Sequence, residues 1–460
     1  MAQKSLKKAY NFNIKKRWYF IALMVFLMTI GIRPDENFDI SAQEQQEESD
    51  YFVEEGQNAI FPIPTELKEN VEFWKKIYAK YTSDEVVIHD GRYMGITYAY
   101  LDFAYLKDED LSERNKERIK ERKSKEVKDY YKKILLKLSR KDLNVDNLSD
   151  EEKRVYEMFR SIEDKDKFVM DRRGKRVRAQ SGQKDFFVKG LIDSGEYLSE
   201  MERIFEEYDL PMELTRLTFV ESMFNPYAYS KSGAAGVWQF LKATGKRYLI
   251  INSIVDERRD PLISTIAAAK FLTKNYESLG NWPLAITAYN HGAGSIRRAV
   301  ERTNSSHLPE IINNYNNRRF GFASKNFYAE FLAALDVVNN YKAYFGDIAI
   351  KQSLRADVVQ IERNILARDI EKYCSITKDE IKRLNPSLQG EAIDSRIFLP
   401  KGFMLRIPEG RKEAFYKGFE VIVSKHSALS ARQAEKKESK EAEASDKLKE
   451  ILRDSKGVSF

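Results

Sequence analysis

Between residues 220 and 240 the chain reads VESMFNPYAYSKSGAAGVWQF, and Glu221 is the only acidic side chain in it. The nearest carboxylates along the sequence are Glu213 on one side and Asp256 on the other. Glu221 falls at the end of an apolar helical stretch, just before Asn225-Pro226 forbids continuation. A carboxyl at such a junction, walled by Phe219, Met223 and Phe224, loses water around its charged form, so its pKa should rise towards neutrality. An acid still protonated near pH 7 can hand a proton to a departing glycosidic oxygen. Most glycosidases use a second carboxylate as base or nucleophile, and the sequence offers none nearby. Two chemistries need only one acid. Either the substrate's own acetamido group assists, or an internal sugar hydroxyl attacks the anomeric carbon in place of water. N-acetylated sugars suit both.

The neighbours are those of a sugar cleft. Gly233 and Gly236 would let backbone approach a ligand. Trp238, Phe240 and Tyr289 offer flat faces, and Ser230, Gln239 and Asn290 supply the few placed hydrogen bonds that a cleft needs. Taken singly, each is more simply a core or turn residue.

The elements that must hold these residues are helical. EYLSEMERIFEEYDLP closes on Pro211, and MELTRLTFVESM repeats apolar residues at Leu214, Leu217 and Val220. Asp260-Pro261 signals a helix start, Gly280 an end, and Trp282-Pro283 a new helix running into AYNHGAG. Upstream, FPIPTELKENVEFWKKIYAKY carries Val71, Trp74, Ile77 and Tyr78 on one helical face. VVIHDGRYMGITYAYLDF then reads as β-prone residues about an Asp-Gly turn at residues 90 and 91. Residues 107 to 141, dense in both charges, suit a solvated helix laced with i,i+4 pairs. After Tyr344 the order is strand, helix, helix, strand, followed by a charged tail.

As a set, E-S-x-F-N-P-x-A-x-S-x-x-G-A-x-G-V-W-Q-F followed by A-Y-N-x-G resembles the catalytic (SLT) domain of lytic transglycosylases, the goose-lysozyme-like enzymes that cleave bacterial peptidoglycan. Within that family it is most similar to the membrane-bound murein transglycosylase D group. The resemblance implies that Glu221 is the sole acid/base and that Ser222, Ser230, Gln239, Tyr289 and Asn290 contact or orient the substrate. Trp238 takes a variable apolar position and His291 the x of A-Y-N-x-G. In FASKNFYAEFLAAL, which resembles the closing helix, Phe327 stands where many members carry Tyr. Residues 357 to 408 resemble a LysM module, with RNIL in place of the usual Gly-Asp-Thr-Leu turn.

The expected architecture is mainly α. Residues 1–32 form a signal sequence or membrane anchor and 33–60 an acidic linker. A mostly helical N-terminal region over 61–202 leads to a lysozyme-like catalytic domain over 203–346. A degenerate βααβ LysM-like module over 347–408 and a charged tail over 409–460 follow. The leader reading rests on six Lys or Arg and no acid in residues 4 to 17, then fifteen uncharged residues from Trp18 to Ile32. Residues Asp35 to Glu55 carry nine acids and no base, which marks a solvated linker. The single cysteine, Cys374, excludes an intramolecular disulfide and leaves the compartment to the leader, which points to the periplasm or cell envelope.

Net charge of +7 in 460 residues permits an anionic partner without requiring one. The basic stretch RRGKRVRAQSGQKDFFVKG lacks an aromatic platform and reads as a lead-in to the next domain, so no nucleic acid is expected. No metal or cofactor motif occurs in the sequence. The expected partner is the peptidoglycan glycan strand, plus the membrane if the leader is retained. Two rivals are a lysozyme-type hydrolase, with water replacing the sugar hydroxyl, and a non-catalytic wall-binding scaffold.

Overall fold

The computed structural model describes residues 32–33, 60–171 and 174–455. The expected leader over 1–32 and linker over 33–60 lie outside them, apart from Ile32, Arg33 and Ile60. Among the described residues no helix is long and apolar enough to cross a membrane. The protein is mainly helical with two small sheets. It divides into two compact units, Met1–Asn225 with Ala268–Lys351, and Pro226–Ala267 with Gln352–Phe460.

In the first unit, β1 (Ile32–Arg33), β2 (Glu85–Asp90), β3 (Thr97–Asp102) and β4 (Val177–Ser181) form an antiparallel sheet in the order β1-β3-β2-β4. The sheet interrupts a region expected to be mostly helical, and the β-prone passage about Asp90-Gly91 is its centre. Asp90 caps the turn by accepting from the Arg92 and Tyr93 amides at 2.7 and 3.1 Å. Its other oxygen takes the Arg176 Nε at 2.7 Å and the Tyr98 hydroxyl at 2.5 Å. Arg176 belongs to the basic stretch that sequence alone leaves as a lead-in. It is buried, and the strand after it pairs with β2 from Val86 to Asp90. Part of that positive charge is therefore structural.

Helix α1 (Lys68–Ala79) buries Val71, Phe73, Trp74, Ile77 and Tyr78. The charged α2 (Glu113–Leu138) buries Val127, Tyr131, Ile134, Leu135 and Leu138 against the sheet, with ion pairs such as Lys125–Asp129 on its wet face. The series continues through α3 (Asp150–Met158), α4 (Lys184–Ser194), α5 (Leu198–Glu207) and α6 (Leu217–Ser222). The boundary between the units falls within α7 (Pro261–Leu279). α8 (Trp282–His291), α9 (Ala293–Thr303), α10 (Leu308–Asn314) and α11 (Phe322–Asn339) complete the first unit's larger helices. Asn281 caps α8 through the Leu284 amide at 3.0 Å, with Pro283 in the first turn, as the sequence signals. α11 is apolar nearly all round and packs against α1, α6 and α8.

The second unit has its own core. β5 (Ala356–Gln360) and β6 (Met404–Pro408) pair antiparallel around α12 (Ala367–Cys374) and α13 (Lys378–Leu384), the expected strand-helix-helix-strand order with one added short helix at Gly390–Ile393 ahead of β6. The tail is one helix, α14 (Lys412–Ser455). Its start is structural: Phe415, Phe419 and Ile422 join Val359, Ile361, Ile370 and Leu405 in the core. Val255, from the earlier segment, lies in the same cluster.

Candidate active site

Glu221 is the penultimate residue of α6. The helix stops because Met223 and Phe224 both take left-handed backbone angles, at φ 49° and 57°. Such angles are costly for non-glycine residues and need support from the surroundings. The Phe224 amide reaches back to the Thr218 carbonyl at 3.1 Å, and Phe224 packs its ring on Phe219 at 5.4 Å. Gly190 of α4 supports the turn from outside, since a Cβ there would sit 2.6 Å from the Met223 carbonyl oxygen. The abrupt stop leaves the Glu221 carboxyl at the end of a helix with buried Leu217, Thr218 and Phe219 behind it.

Glu221 remains partly exposed to solvent. Loss of surrounding water pushes its pKa up to about 8, as the apolar wall implies. Tyr289 on α8, an expected site residue, packs against Phe271 at 5.3 Å. Burial raises its phenol well above the usual tyrosine value, and a charged Glu221 would raise it further, so its hydroxyl keeps its proton near the carboxyl.

A neutral hydroxyl dipole beside a carboxylate favours the ionised form. Tyr289→Phe should therefore raise the pKa of Glu221 further. Turnover on peptidoglycan should fall roughly tenfold and the pH optimum move to higher pH. A pH-rate profile of the variant checks this, and an unchanged rate and optimum would reduce Tyr289 to packing.

The other expected residues divide. Ser222 is a helix-end residue, donating to the Thr218 carbonyl and accepting from the Asn225 amide, each at 3.1 Å. Asn290 is exposed and accepts from Ser324 at 2.9 Å, and the same hydroxyl lies 3.1 Å from His291 Nδ1. Glu221, Ser222, Tyr289 and Asn290 belong to the first unit, whereas Ser230 and Gln239 belong to the second.

In the second unit Ser230 and Gln239 shape one loop. Ser230 Oγ accepts from the Ala234 amide at 3.0 Å, and Gln239, itself at φ 48°, donates to the Gly236 carbonyl at 2.9 Å. Trp238 and Phe240, expected as sugar platforms, are core residues instead. Both are buried, and the Trp238 indole donates to Thr265 at 2.9 Å. A ring wrapped by protein has no face left for a ligand. Gly236 likewise makes room for protein, not for a ligand, because the Arg258 carbonyl occupies the space where its Cβ would be. Phe327 is packed inside α11.

Arg258 holds this loop. Its guanidinium donates to the Gly233 and Phe240 carbonyls at 2.8 and 3.0 Å and forks onto Asp256 at 2.8 and 2.7 Å. Asp256 and its neighbours are fastened in turn to the βααβ residues. The Asp256 amide donates to Ser387 at 2.8 Å, the Gln389 amide donates to Ile254 at 2.9 Å, and Arg406 forks onto Asp260. Sequence reasoning did not single out Arg258 or Arg406. The run Asp256-Glu257-Arg258-Arg259-Asp260, with acids on both sides of its bases, was the signal for Arg258.

Two residues near Glu221 were also missed as site residues: Tyr78 of α1 and Glu330 of α11, each within electrostatic reach of it. Glu330 is a second carboxyl that the stretch from residue 220 to 240 does not itself contain. Its signal was a single acid in the otherwise buried run from Phe327 to Leu335. Among the described residues no cluster of His, Cys, Asp or Glu could hold a metal ion.

Residues 203–312 match the family described as Transglycosylase SLT domain. The chain is 29% identical over 188 residues to the membrane-bound lytic murein transglycosylase D of Escherichia coli K12, and equally to that of E. coli O6:H1. Each match covers 40% of this chain and 41% of the relative, so the chain spans about two fifths of the length of these curated relatives. Among solved structures, the 70 kDa soluble lytic transglycosylase of E. coli aligns with a TM-score of 0.25 and 21% identity. That alignment covers 33% of this chain and 25% of the other.

Proposed function

We propose that this protein is a peptidoglycan lytic transglycosylase with Glu221 as its single acid/base. Glu221, protonated, delivers its proton to the oxygen joining N-acetylmuramic acid to N-acetylglucosamine. As carboxylate it then takes the proton of the muramoyl 6-hydroxyl, whose oxygen closes on C1 to give a 1,6-anhydro end. One group must donate and later accept a proton, which is easiest when its pKa lies near the working pH. The observation that carries this reading is a partly exposed Glu221 carboxyl with its pKa pushed to about 8, at the end of α6 and inside the residues that match the SLT domain.

The assignments of Ser222, Ser230, Gln239, Tyr289 and Asn290 to substrate contact are part of the same proposal. So is a glycan-holding, LysM-like role for residues 347–408, which the antiparallel β5–β6 pair around two helices supports. The basic and apolar leader supports a place in the cell envelope. The presence of Glu330 gives the hydrolase reading a specific footing, because two carboxyls are the usual equipment of a hydrolysing glycosidase.

Digestion of purified peptidoglycan by the full chain, with mass analysis of the fragments, decides between them. Anhydro ends, lighter by one water than reducing ends, are expected. Reducing ends would make it a hydrolase, and an undigested wall a binding scaffold.

A further inference from the structure

We infer that Glu330 is a positioning residue for Glu221: α11, packed on α1 and α6, sets its carboxyl within electrostatic reach of Glu221 and of Tyr78, so that ionisation of either carboxyl bears on the other. The inference deepens the reading of Glu221 as acid/base and rests on it.

The geometry runs along two helix faces. Asn326 of α11 accepts from Asn70 at 2.9 Å and from the Trp74 indole at 3.3 Å, both on α1. One turn further along each face stand Glu330 and Tyr78, four residues on from Asn326 and Trp74. The Tyr78 ring stacks on Phe187 at 5.1 Å, and Phe187 packs on Phe219 of α6 at 5.2 Å, two residues before Glu221. Burial, with Glu330 and Glu221 charges adding to it, holds the Tyr78 phenol well above its usual value. Burial and the Glu221 charge push Glu330 up to about 8.

The other charged groups around α11 are engaged elsewhere. Lys75 bridges Glu72 and Asp336, each at 3.0 Å. Tyr344 donates to Asp336. Arg216 pairs with Glu202. Lys325 donates to the Ile312 carbonyl. His291 lies against Ser324. Tyr289 lies within electrostatic reach of Glu221.

Two neighbouring carboxyls with raised pKa values lose their protons in steps that belong to the pair. Loss of a proton from either makes loss from the other harder. Glu221 therefore keeps some protonated population at higher pH than it would alone. When Glu221 has given its proton to the leaving oxygen, a protonated Glu330 leaves the new carboxylate unopposed.

The test is a titration of the full chain carrying 13C-labelled glutamate carboxyls, with Glu221 identified by its loss in E221Q. We expect a two-step Glu221 curve in the natural protein. In Glu330→Gln it should become one step, with the upper limit lower by about one pH unit. Glu330→Asp should retain two steps. The alkaline limb of peptidoglycan cleavage should shift with the titration, a change that a merely structural residue would not produce. Identical one-step curves in the natural protein and Glu330→Gln overturn the proposal. If Glu330→Gln does not fold, a one-step curve in the natural protein does the same. A two-step curve in a chain that fails to cut peptidoglycan would sustain the coupling and sink the assigned activity instead.

Discussion

Glu221→Gln is expected to fold, bind peptidoglycan and release muropeptides at least roughly a thousandfold more slowly than the natural protein. Glutamine keeps the shape of the side chain but can neither donate a proton to the glycosidic oxygen nor take one from the 6-hydroxyl. The substitution also has a signed effect on stability. The folded-state pKa of Glu221 is about 8, against 4.5 for an unperturbed glutamate. Between those values the unfolded chain releases a proton that the folded chain holds, so this group lowers stability as pH rises from about 4.5 to 8. Removing it should stabilise the protein by about 4 kcal/mol at pH 8 and by almost nothing at pH 4. Thermal unfolding at the two pH values, beside muropeptide release at pH 7, checks both parts. A folded variant with appreciable activity would sink the assignment of Glu221. A stability change of the same size at both pH values would place the carboxyl in ordinary solvent.

Gly236→Ala is expected to cost about 3 kcal/mol or more of stability, and Gly233→Ala about 1 kcal/mol. Both glycines have positive φ, 79° and 80°, so each substitution carries the strain of placing an L side chain there. Their surroundings differ. A Cβ at Gly236 would lie 1.7 Å from the Arg258 carbonyl oxygen, and backbone at that distance cannot swing aside. A Cβ at Gly233 would meet nothing closer than the Tyr229 hydroxyl at 3.6 Å. Displacing Arg258 also disturbs its bonds to Gly233, Phe240 and Asp256, which hold the loop carrying Ser230 and Gln239. Urea unfolding of the two variants measures the difference. Equal, small losses would mean that the loop and the Arg258 segment are not packed as described.

The dependence of that loop on C-terminal residues affects how the βααβ segment is tested. Deleting residues 347–460 would remove Ser387, Gln389 and Arg406, and with them the partners of the Asp256 amide, the Ile254 carbonyl and the Asp260 carboxylate. A truncated chain would therefore confound lost glycan grip with a loosened loop. Substitutions on the exposed face of the module, such as Met404→Ala or Phe398→Ala, avoid this because both side chains point largely into solvent.

The local features of this chain are legible in the order of its residues. The lone acid before Ser222, the stop imposed ahead of Asn225-Pro226, the Asp-Gly turn of the first sheet, the caps at Asp260 and Asn281 and the strand-helix-helix-strand order all follow from interactions spanning a few residues. Backbone angles, caps and apolar periodicity act at that range and can be read directly. Which distant groups meet depends on how the elements pack. Trp238 and Phe240 were as plausible on a cleft wall as in a core, because an aromatic side chain serves either, and only packing shows them enclosed. Arg176 was one of seven bases in a run that reads only as a lead-in to the next domain, and folding sets it, just ahead of β4, on Asp90. Glu330 lies more than a hundred residues from Glu221, and Tyr78 lies still further away in the opposite direction. Only the crossing of α1, α6 and α11 brings their fields together. A pKa depends on that nearby field and on excluded water, and neither can be read from the order of residues along the chain.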